Sequence, residues 1–160
     1  MDTRSPIPTL IAAEIDYYDS AQIIEWAEKE VPQMEWHSDN EILIELVSLN
    51  AKRRDSLEQA KPVLKRFINS IWPEFDIKSP KATMYAKMWF RKRLEDYVND
   101  RCEPWALCRM VGPIEKIYDF PKWIGNLYNA CDWVEPDTQT ASCPHLIDEA
   151  RAVLSGLTRQ

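Results

Sequence analysis

Apolar positions recur along this chain at the three- and four-residue spacing that places them on one side of a helix. In "DSAQIIEWAEKEV", Ile23, Ile24, Ala27 and Val31 share a narrow face while Glu25 and Glu28 point away. Asp19 and Gln22 stand in capping-box spacing at its start, and Pro32 ends it. A short helix through "TLIAAEIDYY" is predicted before it, opened by Pro8 or the residues just after, with Thr9 or an earlier residue near the cap, and stopping at Asp19. Ser38 and Glu41 repeat the box spacing ahead of an inward stripe of Ile42, Leu43, Leu46 and Val47. Asp55 and Glu58 do so again ahead of Leu64, Phe67, Ile68 and Ile71, in a segment that Pro62 is predicted either to kink or to divide.

The longest helix is predicted in "SPKATMYAKMWFRKRLEDYVND", with Ser79 as cap and Pro80 at the first helical position, where the missing N–H costs nothing. Met84, Tyr85, Met88, Trp89, Phe90, Leu94, Tyr97 and Val98 spread around most of its circumference. That pattern predicts a central helix near residues 80–100, with Arg91, Lys92 and Arg93 near its covered sides. Pro104 opens "PWALCRMV", which Gly112 and Pro113 are predicted to close, and Ile114, Ile117 and Tyr118 suggest a short element after it. Pro121 starts "PKWIGNLYNACDWV" with Ile124, Leu127, Tyr128 and Cys131 inward. Leu146, Ile147, Ala150, Val153, Leu154 and Leu157 mark the last helix. The expectation is one all-α domain over 1–160, a bundle of about eight helices.

Composition agrees: three glycines against eleven prolines leave little for tight strand turns, and 160 residues are enough for a core without a metal or disulfide. No segment approaches a membrane span, and the N-terminal stretch acquires acids where a signal peptide would stay apolar, so a cytoplasmic protein with no membrane partner is expected. Net charge changes the picture more. Residues 1–50 carry eleven acids against two bases (−9), 51–110 fourteen bases against eight acids (+6), and the remainder seven acids against four bases (−3). The acidic first third would repel nucleic acid and suits a basic partner surface, or else it is a solvated face or is paired with the chain's own basic middle.

The candidate chemistry lies mainly between Asn126 and His145, which hold two of four cysteines and one of two histidines. Cys131, Cys143 and His145 with an earlier cysteine would form a zinc set only if folding brought them together, because neither cysteine pair has finger or ribbon spacing. A cysteine nucleophile with His145 or His37 as base needs the same convergence, and Cys131 falls on an apolar helix face where a thiol is unreactive. The cysteines are read as reduced, small apolar residues. Glu41 and Glu45 stand one turn apart, as surface carboxylates or as an acid/base pair. With no phosphate loop, nucleophile elbow or metalloprotease motif, no catalytic residue, metal or cofactor is expected and the chain reads as a non-enzyme. What the loops offer is recognition. Trp36 stands among Glu35, Asp39 and Glu41, and Trp133 among Asp132, Glu135 and Asp137, a tryptophan inside a charged rim each time. Both are read either as partner anchors or as half-buried helix ends. The 87–101 segment, with Trp89 and Phe90 between basic residues, offers a nucleic-acid-binding or regulatory helix as the alternative function.

"LIAAEIDYYDSAQIIEWAEKEV", "SDNEILIELVSL" and "DFPKWIGNLYNACDWVEPDTQTASCPHLIDEA" together resemble the small α-helical immunity proteins encoded beside bacterial polymorphic toxins, including those of contact-dependent growth-inhibition systems. The resemblance is one of layout over most of the chain: a helix, a break, a "WAE" helix, an acidic "IEL" helix and a late "YNACDW". It implies specific binding and neutralisation of one cognate toxin domain, often a nuclease, in the cytosol of the producing cell. The acidic first third would then complement a basic toxin surface and speed association.

Overall fold

The computed structural model describes residues 5–33 and 40–159, and every regular element among them is helical. The best-formed helix start is at Asp19. Its carboxylate accepts from the N–H groups of Ala21 (2.8 Å) and Gln22 (3.3 Å), and Gln22 Oε1 accepts from the Asp19 N–H (2.8 Å). This completes the predicted box and fixes where α2 (Ser20–Glu30) begins. Before it, α1 spans Pro6–Glu14 with Ser5 at its cap, two residues ahead of the predicted Pro8 start. Thr9 is a buried interior residue, and the helix ends before Asp16, which takes a left-handed φ of 57°. A single 3₁₀ turn, Val31–Gln33, follows α2. The α3 helix is Asn40–Val47; the Ser38 cap predicted for it lies outside the described residues.

The chain divides into two compact units, Met1–Ala82 and Thr83–Gln160. In the first, α3 packs on α4 (Ser56–Ile71) and on α2, and α1 packs on α4 and α2. Leu10, Ile11, Ile15, Ile23, Leu43, Leu46, Leu64, Phe67 and Ile68 are almost fully buried there, and burying each such side chain is worth about 1.5–3 kcal/mol. Trp26 packs at a tilt on Phe67, with ring centroids 6.2 Å apart. The hydroxyls of Ser20 and Ser56 meet at 2.5 Å, which satisfies two buried polar groups. Three expectations change here. Pro62 neither divides nor ends α4, because it sits on the exposed side of a helix held by its apolar face. Ile71 is exposed at the helix end. Asp55 caps nothing with its side chain, since Arg53 and Gln59 claim the carboxylate.

The second unit begins within the longest helix, α5 (Pro80–Val98), whose Ala82 N–H donates to Ser79 Oγ as predicted. Its buried residues are Ala82, Tyr85, Ala86, Trp89, Phe90, Leu94 and Tyr97. At about 100° per residue these fill roughly half of the circumference rather than most of it. Met84, Arg91 and Lys92 are exposed on the other half, Arg91 paired with Glu95 (2.8 Å) and Lys92 lying over Trp89. Arg91 and Lys92 are therefore outside, whereas Arg93 is half-buried with its Nε covered, as expected. After α6 (Pro104–Cys108), Gly112 and Pro113 fill the first turn of α7 (Val111–Tyr118) instead of closing α6; a first-turn N–H has no intrahelical acceptor, so proline is tolerated there. The helix predicted from Pro121 is broken at Gly125 (φ 59°) into a 3₁₀ turn, Lys122–Ile124, and α8 (Leu127–Cys131). A β-carbon at Gly125 would come within 2.7 Å of Val153 Cγ2 and 3.0 Å of Glu149 Oε1. Finally α9 (Pro144–Thr158) buries Leu146, Ala150, Val153 and Leu157 against α8 and the 3₁₀ turn. The described residues thus hold nine α-helices and no strand, in line with the expected all-α fold of about eight helices.

Candidate functional site

The 126–146 region of the second unit is shaped by three ties. A disulfide joins Cys108 of α6 to Cys131 of α8, with the Cα atoms 5.3 Å apart. The Glu149 carboxylate on α9 accepts from the Asn126 N–H at the entry to α8 (2.8 Å). Between α8 and α9 the chain is fixed by turn hydrogen bonds: Glu135 N–H to Thr138 Oγ1 (2.8 Å), Thr138 N–H to the Glu135 carbonyl (3.0 Å) and Ser142 N–H to the Gln139 carbonyl (2.9 Å). Val134 is buried and anchors the connection from below, and its neighbour Trp133 is thrown outward with 89% of its surface exposed. A groove of about 530 Å³ opens beside that indole. Ala130, Val134 and Leu146 supply apolar wall, and Asp137, Thr138, Ser142 and His145 supply polar wall.

Of the residues predicted to bind a partner, Trp133 and Asp137 line this groove together. Asp132 and Glu135 are exposed neighbours of Trp133 in the chain. No ion pair of a described residue engages Asp132, Glu135 or Asp137. Residues 119–149 carry six acids against Lys122 alone, a local −5 in a unit whose sum is −1 (ten bases, eleven acids). Glu41 is exposed on α3 in the first unit, while Glu35, Trp36 and Asp39 lie outside the described residues.

The catalytic and metal readings fare differently. The expectation of four reduced thiols is overturned for Cys108 and Cys131. They stand on separate short helices 23 residues apart, and the fold brings their Cα atoms to a distance a disulfide spans easily. With Cys131 consumed, the zinc set around it cannot form, and no group of three or more potential ligands converges among the described residues. Cys143 and His145 both line the groove, but the Cys143 thiol donates to the Gln139 carbonyl (3.6 Å), a backbone acceptor that is no base. Burial pushes the Cys102 thiol up, only partly offset by Arg93, which leaves it a poor nucleophile. Burial, followed by the nearby Cys143, Cys102 and Asp100, pushes the Tyr97 phenol to about 12, so it stays a neutral hydroxyl. Glu45 is ion-paired with Arg66 of α4, so the Glu41/Glu45 pair is a surface arrangement, and part of the acidic first third is indeed neutralised by the basic middle.

Three features escaped sequence reasoning. Asp119 and Phe120 adopt successive left-handed conformations (φ 54° and 51°), which hold Phe120 out into solvent with 67% of its surface exposed. Tyr128, predicted inward, is exposed and meets Phe120 edge-on, with centroids 6.3 Å apart and planes at 85°. The carboxyl of Glu115 on α7 is buried without a hydrogen-bond partner at Oε1. Burial and then the neighbouring Asp132 raise its pKa above the usual carboxylate range. The positive φ ahead of Pro121 has no sequence signal, because a residue before proline ordinarily favours extended backbone. No helix among the described residues is long and apolar enough to cross a membrane. Comparison with protein-family models, with curated proteins and with solved structures gave no match.

Proposed function

We propose that this protein is a binding inhibitor without catalytic activity, an immunity protein that captures and neutralises one cognate bacterial toxin domain, in the first instance a nuclease. The observation that carries the reading is Trp133: an indole 89% exposed, held out by a hydrogen-bonded turn, beside a groove and among carboxylates that no described cation neutralises. Tryptophan is enriched among the anchors of specific interfaces, and a polar, charged rim around such an anchor is a common make-up of binding surfaces. Nuclease domains that hold phosphate backbones present basic surfaces, and the local −5 supports attraction to such a surface. We place Glu35, Trp36, Asp39 and Glu41 in a second contact segment of the same chemistry, and the cytoplasm of the producing bacterium as the setting. Cytoplasmic thiols are kept reduced, so in that setting binding must also tolerate an open Cys108–Cys131 pair.

The test is co-expression with the toxin domain encoded immediately upstream. Growth should be restored by this chain, and the two proteins should co-purify with and without reductant. Continued killing at matched expression sinks the reading.

A further inference from the structure

The groove beside Trp133 is more specific than a general acidic patch. Its walls combine three elements on one short stretch of chain: an exposed indole, the carboxylate of Asp137, and the apolar surface of Ala130, Val134 and Leu146. A volume of about 530 Å³ lies in the range of small-ligand pockets and admits a long side chain with some flanking backbone. The net −5 between residues 119 and 149 works against an anionic occupant, and a purely apolar occupant would leave Asp137 to be desolvated without a partner. A cation on an apolar stem meets all three elements. Among such groups the guanidinium is planar, stacks on an indole face and takes a carboxylate through paired N–H donors, whereas an ammonium is a strongly hydrated point charge.

We infer that this groove is the receptor for one arginine side chain of the partner, with the guanidinium stacked on Trp133 and paired with Asp137 and the stem laid along Ala130, Val134 and Leu146. The inference rests on the toxin-binding reading, since it names the side chain by which a basic partner enters. The turn that carries the groove is already hydrogen-bonded at Glu135, Thr138 and Ser142, so little ordering is required when the arginine arrives.

The probe is the tripeptide acetyl-Gly-Arg-Gly-amide, titrated into the full chain and followed by NMR of the indole N–H groups and the Val and Leu methyls, with the lysine and citrulline analogues as comparisons. Saturable shifts of Trp133, Val134 and Leu146 are expected, with a dissociation constant of about 1 mM, the weak affinity of a single side chain. Lysine should bind several-fold more weakly and citrulline, which is isosteric and uncharged, should not saturate. Asp137→Asn, which changes no apolar wall, should weaken the arginine peptide about tenfold or more, and Trp133→Ala likewise. The inference is overturned if the arginine peptide gives no saturable shift up to about 10 mM, or if citrulline matches it. The two readings separate cleanly. If wild type and both variants neutralise the upstream toxin equally, the arginine receptor is wrong and the immunity reading stands. If the arginine peptide binds the groove while no protection is seen, the receptor stands and the immunity reading falls.

Discussion

In the first unit, Glu25, Glu45, Asp55 and Glu58 each reach a basic neighbour, through Lys29, Arg66, Arg53 and Lys61; in the turn between α8 and α9 of the second, Asp132, Glu135 and Asp137 reach none. Particular aromatic residues differ likewise, although Trp72 of the first unit is also exposed and Phe90 and Tyr97 of the second are buried. Trp26 and Phe67 pack on each other within the first unit, whereas Trp133 and Phe120 are held in solvent, one by a turn and one by left-handed backbone. Surface ion pairs of this kind contribute about 0–1 kcal/mol each, so pairing says little about stability. It says more about availability, because a paired carboxylate has to be released before it can serve a partner. Glu25 and Glu45 of the acidic first third are thus engaged, while Glu28 and Glu41 stay exposed there without an ion pair to a described residue, as Asp132, Glu135 and Asp137 do in the second unit.

The two units are also held together differently. The first has a packed apolar core and no disulfide among its described residues. Phe67→Ala should cost about 3–5 kcal/mol, read as a lowered urea midpoint, because a nearly fully buried ring leaves a cavity. In the second, opening the Cys108–Cys131 bond by reduction or by paired serine substitution should cost about 3 kcal/mol for a loop of this length. Thiol counting in denaturant should find two free groups in the oxidised protein and four after reduction; four before reduction would remove the tie that distinguishes this unit. Gly125→Ala should follow at about 2 kcal/mol, since the left-handed backbone and the approach to Val153 and Glu149 both oppose a methyl group.

The smallest effect is expected at Glu115. Its carboxyl is raised by burial and by Asp132, so the folded state binds the proton more tightly than the unfolded one. The stability this contributes is present below the ordinary glutamate pKa of roughly 4.3 and is lost as pH rises through the elevated folded value. Glu115→Gln should flatten that decline and leave the protein at least as stable at neutral pH, measured by thermal melts across the acid range. A steeper decline in the variant would mean that the carboxylate has a partner in the fold.

Much of the fold was legible because its causes are local. The Asp19 box, the Ser79 cap, the buried stripe of α2 and the 146–157 pattern each need only a few consecutive residues. Competition defeated similar local rules elsewhere. Asp55 has the right spacing for a box, but Arg53 and Gln59 hold its carboxylate, and Gly112–Pro113 reads as a helix stop although a first turn accepts it equally well. The longest helix buries half its surface because apolar letters such as Met84 are spread beyond the face that packs. At the candidate site, the Trp133 and Asp137 cluster was visible since both lie within one short loop. The Cys108–Cys131 pairing was not, because it depends on α6 and α8 meeting across 23 residues of chain. Tyr128 was misplaced because a left-handed corner at Phe120 gives it an edge contact in solvent.

The separation of a packed tryptophan from a presented one is tested most directly by measuring stability and toxin affinity on the same two variants, Trp26→Ala and Trp133→Ala. For Trp133→Ala, the melting temperature should stay within about 2 °C of wild type, while affinity for the upstream toxin domain falls at least roughly thirtyfold, the loss of a hot-spot anchor. For Trp26→Ala the order reverses, with lowered stability from the gap left against Phe67 and affinity of the folded protein within a few-fold of wild type. A Trp133→Ala protein that binds as tightly as wild type, or that loses stability as Trp26→Ala does, contradicts the account.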